Sequence, residues 1–180
     1  MQASIDRVQL LRGDLSGRRR DIRPPWAILE ESFVNLCNRC GECSKVCPTQ
    51  IIKSGSGGYP GIDFKRGHCT FCGDCVRSCE AKALAFAEDP TTLPWSLRID
   101  IETSCLSLNG VVCRSCGDIC DQRAIRFQLQ MGGRSQAEID PSLCSGCGAC
   151  VAVCPNHSIS VSHTVNDCAA SSQPREEITF

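Results

Sequence analysis

Cys37-Asn38-Arg39-Cys40-Gly41-Glu42-Cys43-Ser44-Lys45-Val46-Cys47-Pro48 is the stretch on which the reading of this chain turns. Its pattern is C-x2-C-x2-C-x3-C-P. Three thiolates spaced in this way bind three irons of one [4Fe–4S] cube, and the fourth reaches the neighbouring cube in two-cluster ferredoxins. Spacing by two residues lets the backbone curl around a cube and leaves amides free to hydrogen-bond its sulfur atoms.

Moving outward, the pattern recurs. Cys69, Cys72, Cys75 and Cys79 repeat it, with Glu80 in place of the proline. Cys144, Cys147, Cys150, Cys154 and Pro155 repeat it completely. Cys105, Cys113, Cys116 and Cys120 form a widened version, in which seven residues replace two after the first cysteine. The extra residues are expected to loop out and leave the ligand set intact. The crossing rule predicts four clusters, all read as [4Fe–4S]. Cluster one takes Cys37, Cys40, Cys43 and Cys79, and cluster two takes Cys69, Cys72, Cys75 and Cys47. Cluster three takes Cys105, Cys113, Cys116 and Cys154, and cluster four takes Cys144, Cys147, Cys150 and Cys120. Sixteen of the 17 cysteines are used, and Cys168 is left as a spare tail thiol.

Composition agrees. Only nine of the 180 residues are aromatic, and the hydrophobic fraction of 42% includes the cysteines. So thin a carbon core calls for cross-links or metal. A structural zinc site uses four ligands, usually as two separated pairs, and triplets of cysteines do not fit that pattern. The formal net charge of −1 argues against a nucleic-acid binder. No apolar run approaches the ~18 residues of a membrane span. Arg18-Arg19-Arg20 resembles a twin-arginine signal, but no apolar segment or small-residue cleavage site follows. The reading is therefore a cytoplasmic protein, where thiols stay reduced and disulfides are rare. With every iron held by cysteine, no open position remains for substrate, so electron transfer without catalysis is expected.

The repeat also predicts the fold. Strand-like segments follow the motifs at Ala83–Phe86, Ala124–Phe127 and Ser158–Val161, and others lead into motifs two and four at Gly61–Phe64 and Ala137–Asp140. The expected class is α+β, with two tandem bacterial-ferredoxin-like (βαβ)2 cages around two clusters each. Residues 1–26 are read as a basic, mostly flexible arm, 27–90 and 91–165 as the two cages, and 166–180 as a flexible tail. Pro25 suits a helix start, and Leu29, Phe33 and Leu36 share one helical face. Gly55-x-Gly57-Gly58 is read as a flexible turn after a short helix. Arg18, Arg19, Arg20 and Trp26 are candidate partner contacts.

Three segments carry a resemblance. They are Ile22-Arg23-Pro24-Pro25-Trp26-Ala27, the run from Gly57-Gly58-Tyr59-Pro60 through Asp63-Phe64 to Cys69-Thr70-Phe71-Cys72-Gly73, and the run from Cys105-Leu106 to Gly110-Val111-Val112-Cys113-Arg114-Ser115-Cys116. Together with the four motifs they resemble the NapF ferredoxin-type proteins over about residues 5 to 165. That family also widens its third motif, which supports Cys105 as a ligand. The resemblance implies a cytoplasmic accessory of periplasmic nitrate reductase systems. Such a protein binds the catalytic subunit, NapA, and assists its maturation before export, by electron transfer or cluster loading, with a possible redox donor as a second partner. Family members often show paired arginines before Leu-Leu-Arg-Gly, whereas here Arg7 stands alone before Leu10-Leu11-Arg12-Gly13. The alternative is an electron-transferring iron–sulfur subunit of a larger redox complex.

Overall fold

A computed structural model describes residues 21–89, 92–132 and 134–163. The chain divides into two compact units, one ending at Pro94 and the other beginning at Trp95.

The described part of the first unit runs α1 (Glu30–Leu36), α2 (Glu42–Lys45), β1 (Ile52–Ser54), a 3-10 turn (Ser56–Gly58), β2 (Pro60–Ile62) and α3 (Asp74–Arg77). β1 and β2 form an antiparallel hairpin in which Ile52 pairs with Ile62. The glycine-rich turn therefore follows a strand and closes this hairpin, correcting the expectation of a preceding helix. Gly57 and Gly58 make it possible, because both adopt positive φ.

The segment 21–29 lies against the hairpin and the end of the unit as a strap. Ile62 N–H donates to Ile22 O at 2.8 Å, and Ser56 N–H donates to the Asp21 carboxylate at 2.6 Å. The Arg23 guanidinium forks onto Glu30 at 2.6 and 3.0 Å and lies over the rings of Phe33 and Tyr59. On its far side, Ala27 bridges Leu84, Ala85 N–H donates to Trp26 O at 3.0 Å and Trp26 N–H donates to Pro94 O at 2.6 Å. Ala83–Phe86 is thus no full strand, because its partner is the strap and they share a single bridge. The helix expected from Pro25 begins only at Glu30. Trp26 sits at φ 59°, a left-handed conformation that cannot belong to a right-handed helix. Of the expected apolar face, Phe33 is fully buried, while Leu29 and Leu36 are exposed. The first unit's core is small: Phe33, Ile51, Ile52, Phe64, Ala83 and Leu84.

The second unit runs β3 (Leu97–Ile101), α4 (Ser115–Asp118), β4 (Ile125–Leu129), β5 (Ser135–Ile139), α5 (Ala149–Val153) and β6 (Ile159–His163). The outer strands β3 and β6 pair antiparallel, with Ile99 opposite Val161. The inner strands β4 and β5 form a second antiparallel pair, with Ile125 opposite Ile139. β4, β5 and β6 overlap the sequence expectations, and β3 went unforeseen. The first unit has the same plan, with its outer pair reduced to the Ala27–Leu84 bridge. The second unit's buried side chains are also few and small, among them Ile99, Ala124, Ala137, Ala149 and Ile159.

Gly41, Gly73 and Gly148 each precede a short helix in the left-handed conformation. Surroundings separate such positions by cost. A methyl at Gly41 meets nothing within 4 Å, one at Gly73 lies 2.8 Å from the Phe86 ring, and one at Gly146 lies 2.8 Å from the Trp95 indole. Phe86 is half exposed and can swing away. Trp95 is tied down by its indole N–H, which donates to Ser145 O at 3.2 Å. Alanine should destabilise in the order Gly146→Ala, then Gly73→Ala, then Gly41→Ala, the last by only the left-handed penalty of about 1 kcal/mol. Thermal loss of the holo-protein's visible absorbance measures this order, and Gly41→Ala proving the worst of the three would contradict it.

Candidate iron–sulfur centres

Each motif builds its site in the same way. The third cysteine of each lies on a one-turn helix: Cys43 on α2, Cys75 on α3, Cys116 on α4 and Cys150 on α5. Cys43 and Cys75 are buried. Burial, reinforced by neighbouring cysteines, pushes the Cys43 thiol up to about 11 and Cys75 to about 12. The same causes push Cys116 up to about 11 and Cys150 to about 12. Thiolates crowded in such places are unstable without positive charge between them.

The neighbours that produce these shifts include the expected partners as well as the third cysteine of the other motif. Cys43 feels Cys37, Cys40 and Cys79. Cys144 feels Cys147 and Cys120, and Cys150 feels both of those with Cys144 and Cys116. Two open cavities supply the remaining groups. One, of ≈ 330 Å³, is walled by Cys47, Cys69, Cys72 and Cys75 together with Trp26. The other, of ≈ 360 Å³, is walled by Cys105, Cys113, Cys116 and Cys154. In each group the fourth cysteine of one motif stands with three from the other motif of its unit. Among the described residues, no three His, Cys, Asp or Glu side chains close on a point where one ion could be held. Four cysteines around a cavity suit a cube, because each sulfur binds a different iron.

Backbone geometry aims donors at the sulfurs. Three residues after each fourth cysteine, the chain enters the left-handed region at Gln50, Lys82, Arg123 and His157. In all four turns that residue's N–H donates to the cysteine carbonyl, at 2.9 to 3.2 Å. Beyond the turn, amides face the sulfur: Ser158 N–H donates to Cys154 Sγ at 3.3 Å. Burial works against the Cys47 thiolate, but the Thr49 hydroxyl and the amides of Ile51, Ile52 and Thr49 hold this thiol below its ordinary range. Phe71 N–H donates to Cys69 Sγ at 3.4 Å. The widened third motif is an ordered turn. Val111 N–H donates to Leu106 O at 3.0 Å, buried Ser107 donates to Ser135 O at 2.7 Å, and Asn109 Nδ2 donates to Thr103 O and Cys105 O.

The other sequence candidates separate. Trp26 is half-buried on a cavity wall, edge-on to Phe71 and Phe86. His68 is exposed. Arg18, Arg19, Arg20 and Cys168 lie outside the described residues. Amides free to meet sulfur were expected from the spacing, but the left-handed turns that aim them and the place of Trp26 on a cavity wall were not legible beforehand. A repeated polar or basic residue three positions after each fourth cysteine is the only signal the turns left.

Motifs, one-turn helices and sulfur-walled cavities together define a ferredoxin-type iron–sulfur protein that binds [4Fe–4S] clusters. Comparison with known proteins agrees: residues 36–84 match the 4Fe-4S dicluster domain and residues 137–160 the 4Fe-4S binding domain. The chain is 38% identical to the ferredoxin-type protein NapF of Escherichia coli K12, over 84% of this chain and 93% of that one. It is 47% identical to the Haemophilus influenzae NapF, over 81% of this chain and 79% of that one. The ferredoxin-type protein NapG of Escherichia coli K12 is 32% identical, over 74% of this chain and 65% of its own. The chain belongs to the NapF family of ferredoxin-type proteins. No helix among the described residues is long and apolar enough to cross a membrane.

Thr49 Oγ1 stands 3.6 Å from Cys47 Sγ. Once the sulfur is bound to iron it has no proton, so the hydroxyl must donate. Such a bond stabilises the extra electron of the reduced state. Thr49→Val, which keeps the shape and removes the donor, should lower one cluster's potential and leave iron content unchanged. Redox titration followed by electron paramagnetic resonance reads the shift, and an unchanged or raised potential would refute it.

Proposed function

We propose that this protein is a non-catalytic, cytoplasmic accessory of a periplasmic nitrate reductase. It holds four [4Fe–4S] clusters in two two-cluster cages and engages the catalytic subunit, NapA, before export, assisting its maturation by electron transfer or cluster loading. The observation that carries this reading is the grouping of all sixteen motif cysteines into four foursomes, which leaves no iron without a protein ligand. The ligand sets are those expected from the motif: Cys37, Cys40, Cys43 and Cys79; Cys69, Cys72, Cys75 and Cys47; Cys105, Cys113, Cys116 and Cys154; Cys144, Cys147, Cys150 and Cys120. Membership of the NapF family supports the partner.

Bound clusters would supply one-electron transfer at potentials set by charge, hydrogen bonds to sulfur and exposure. The chain's own part is to hold sixteen sulfurs apart, aim amides at them and limit water. In each unit a motif contributes to both clusters, and the third cysteines feel one another, Cys43 with Cys75 and Cys116 with Cys150. Two clusters held so close can exchange an electron within the unit. Cys40 and Cys72 are exposed, whereas every motif cysteine of the second unit is at least partly covered. Exchange with a partner is therefore easier at the first unit.

Anaerobically purified protein should contain about 16 irons and as many sulfides, and it should capture unexported NapA in a pull-down. Far fewer irons would overturn the four-cluster reading. Failure of the fully loaded protein to bind NapA would overturn the maturation role. Stoichiometric co-purification with a dehydrogenase or quinone complex would favour the subunit alternative, to which the likeness to NapG lends weight.

A further inference from the structure

The chain has two tryptophans, Trp26 and Trp95, and they take the same place in their units. Trp26 directly precedes Ala27, which bridges Leu84, and Trp95 lies two residues before Leu97, where β3 begins its pairing with β6. Each also packs on the residue two positions after the first cysteine of its unit's second motif. Trp26 meets Phe71 edge-on at 6.4 Å between ring centroids, and Phe71 follows Cys69 by two. The Trp95 indole is so close to Gly146, which follows Cys144 by two, that a methyl there would lie 2.8 Å from Nε1.

That residue is the one whose amide reaches the cysteine sulfur. Phe71 N–H donates to Cys69 Sγ at 3.4 Å, and the Gly146 backbone N–H likewise hydrogen-bonds the Cys144 side chain. The indole N–H of Trp95 ties the same loop by donating to Ser145 O at 3.2 Å. In the first unit the anchoring is stronger still. Trp26 is held at φ 59°, a conformation costly for a bulky side chain. It is fixed there by backbone bonds to Pro94 and Ala85 and by a second ring contact, with Phe86 at 5.1 Å. Its side chain walls the cavity that holds Cys47, Cys69, Cys72 and Cys75.

We infer that Trp26 and Trp95 are paired positioning residues for clusters two and four, each holding the loop that hydrogen-bonds its cluster's first sulfur and, in the case of Trp26, closing the cavity to water. The inference rests on the ligand sets proposed above. The tryptophans touch the loop and the cavity wall without ligating iron, so their effect is on how firmly, and how dry, one cluster in each unit is held.

Trp26→Gly tests this cleanly, because glycine accepts φ 59° and leaves the strap's backbone undisturbed. Holo-protein is mixed anaerobically with an iron chelator and release is followed by absorbance, with the reduced spectrum recorded by electron paramagnetic resonance. About four of ~16 irons should leave roughly tenfold faster, the size expected for loss of a supporting contact. The paramagnetic signal that changes should be the one that Cys47→Ser also changes. Trp26→Phe should restore slow release, and adding Trp95→Ala to Trp26→Gly should bring the fast fraction to about eight irons. Unchanged release, equal acceleration of all the iron, or a Phe variant as fast as the Gly variant each overturns the inference. If wild-type protein holds far fewer than ~16 irons, the ligand assignment fails instead.

Discussion

Sixteen motif thiols, two of them buried and several crowded together, are the constraint on which everything else in this protein depends. Burial and mutual repulsion raise the third cysteine of every motif, Cys43, Cys75, Cys116 and Cys150. Deprotonating all of them in place is unfavourable without positive iron between the sulfurs. The side chains that would otherwise form a core are few, and most in the second unit are Ala or Ile. Metal ligation and folding are therefore expected to be one event here, as in other small metal-bound domains.

The secondary structure follows from that demand. Helices of four or five residues are too short to stand alone, yet each carries one inward cysteine. Each pair of strands is short because it needs only to bring the exit of one motif beside the approach to another. Four identical left-handed turns after the fourth cysteines redirect the chain so that amides face sulfur. Gln50, Lys82, Arg123 and His157 are all polar or basic and share this backbone role.

Within that common plan the two units differ where their outer strands differ. The second unit closes with the five-residue pairing of β3 and β6. The first closes with a single bridge, and the strap carrying Arg23, Pro24, Pro25 and Trp26 takes over the task through a carboxylate fork, cation–π stacking and ring contacts. Polar and aromatic anchoring thus replaces a ladder of backbone hydrogen bonds. The segment Ile22–Ala27, distinctive in sequence, is distinctive in the structure for this reason.

Cysteine spacing by itself determined the cofactor class and the fourfold repeat, because ligand geometry around a cube leaves a short chain few alternatives. Period-two segments at 124–127, 137–140 and 158–161 showed as strands for the same local reason. The tertiary structure alone decided that α1 starts at Glu30 and not near Pro25, that the glycine turn closes a hairpin, and that Ala83–Phe86 bridges a strap. The first and last of those outcomes depend on Trp26 adopting a left-handed conformation, which its own preferences oppose. Contacts with Phe71, Phe86, Ala85 and Pro94, 45 to 68 residues further along the chain, impose it, and no reading of local pattern contains them.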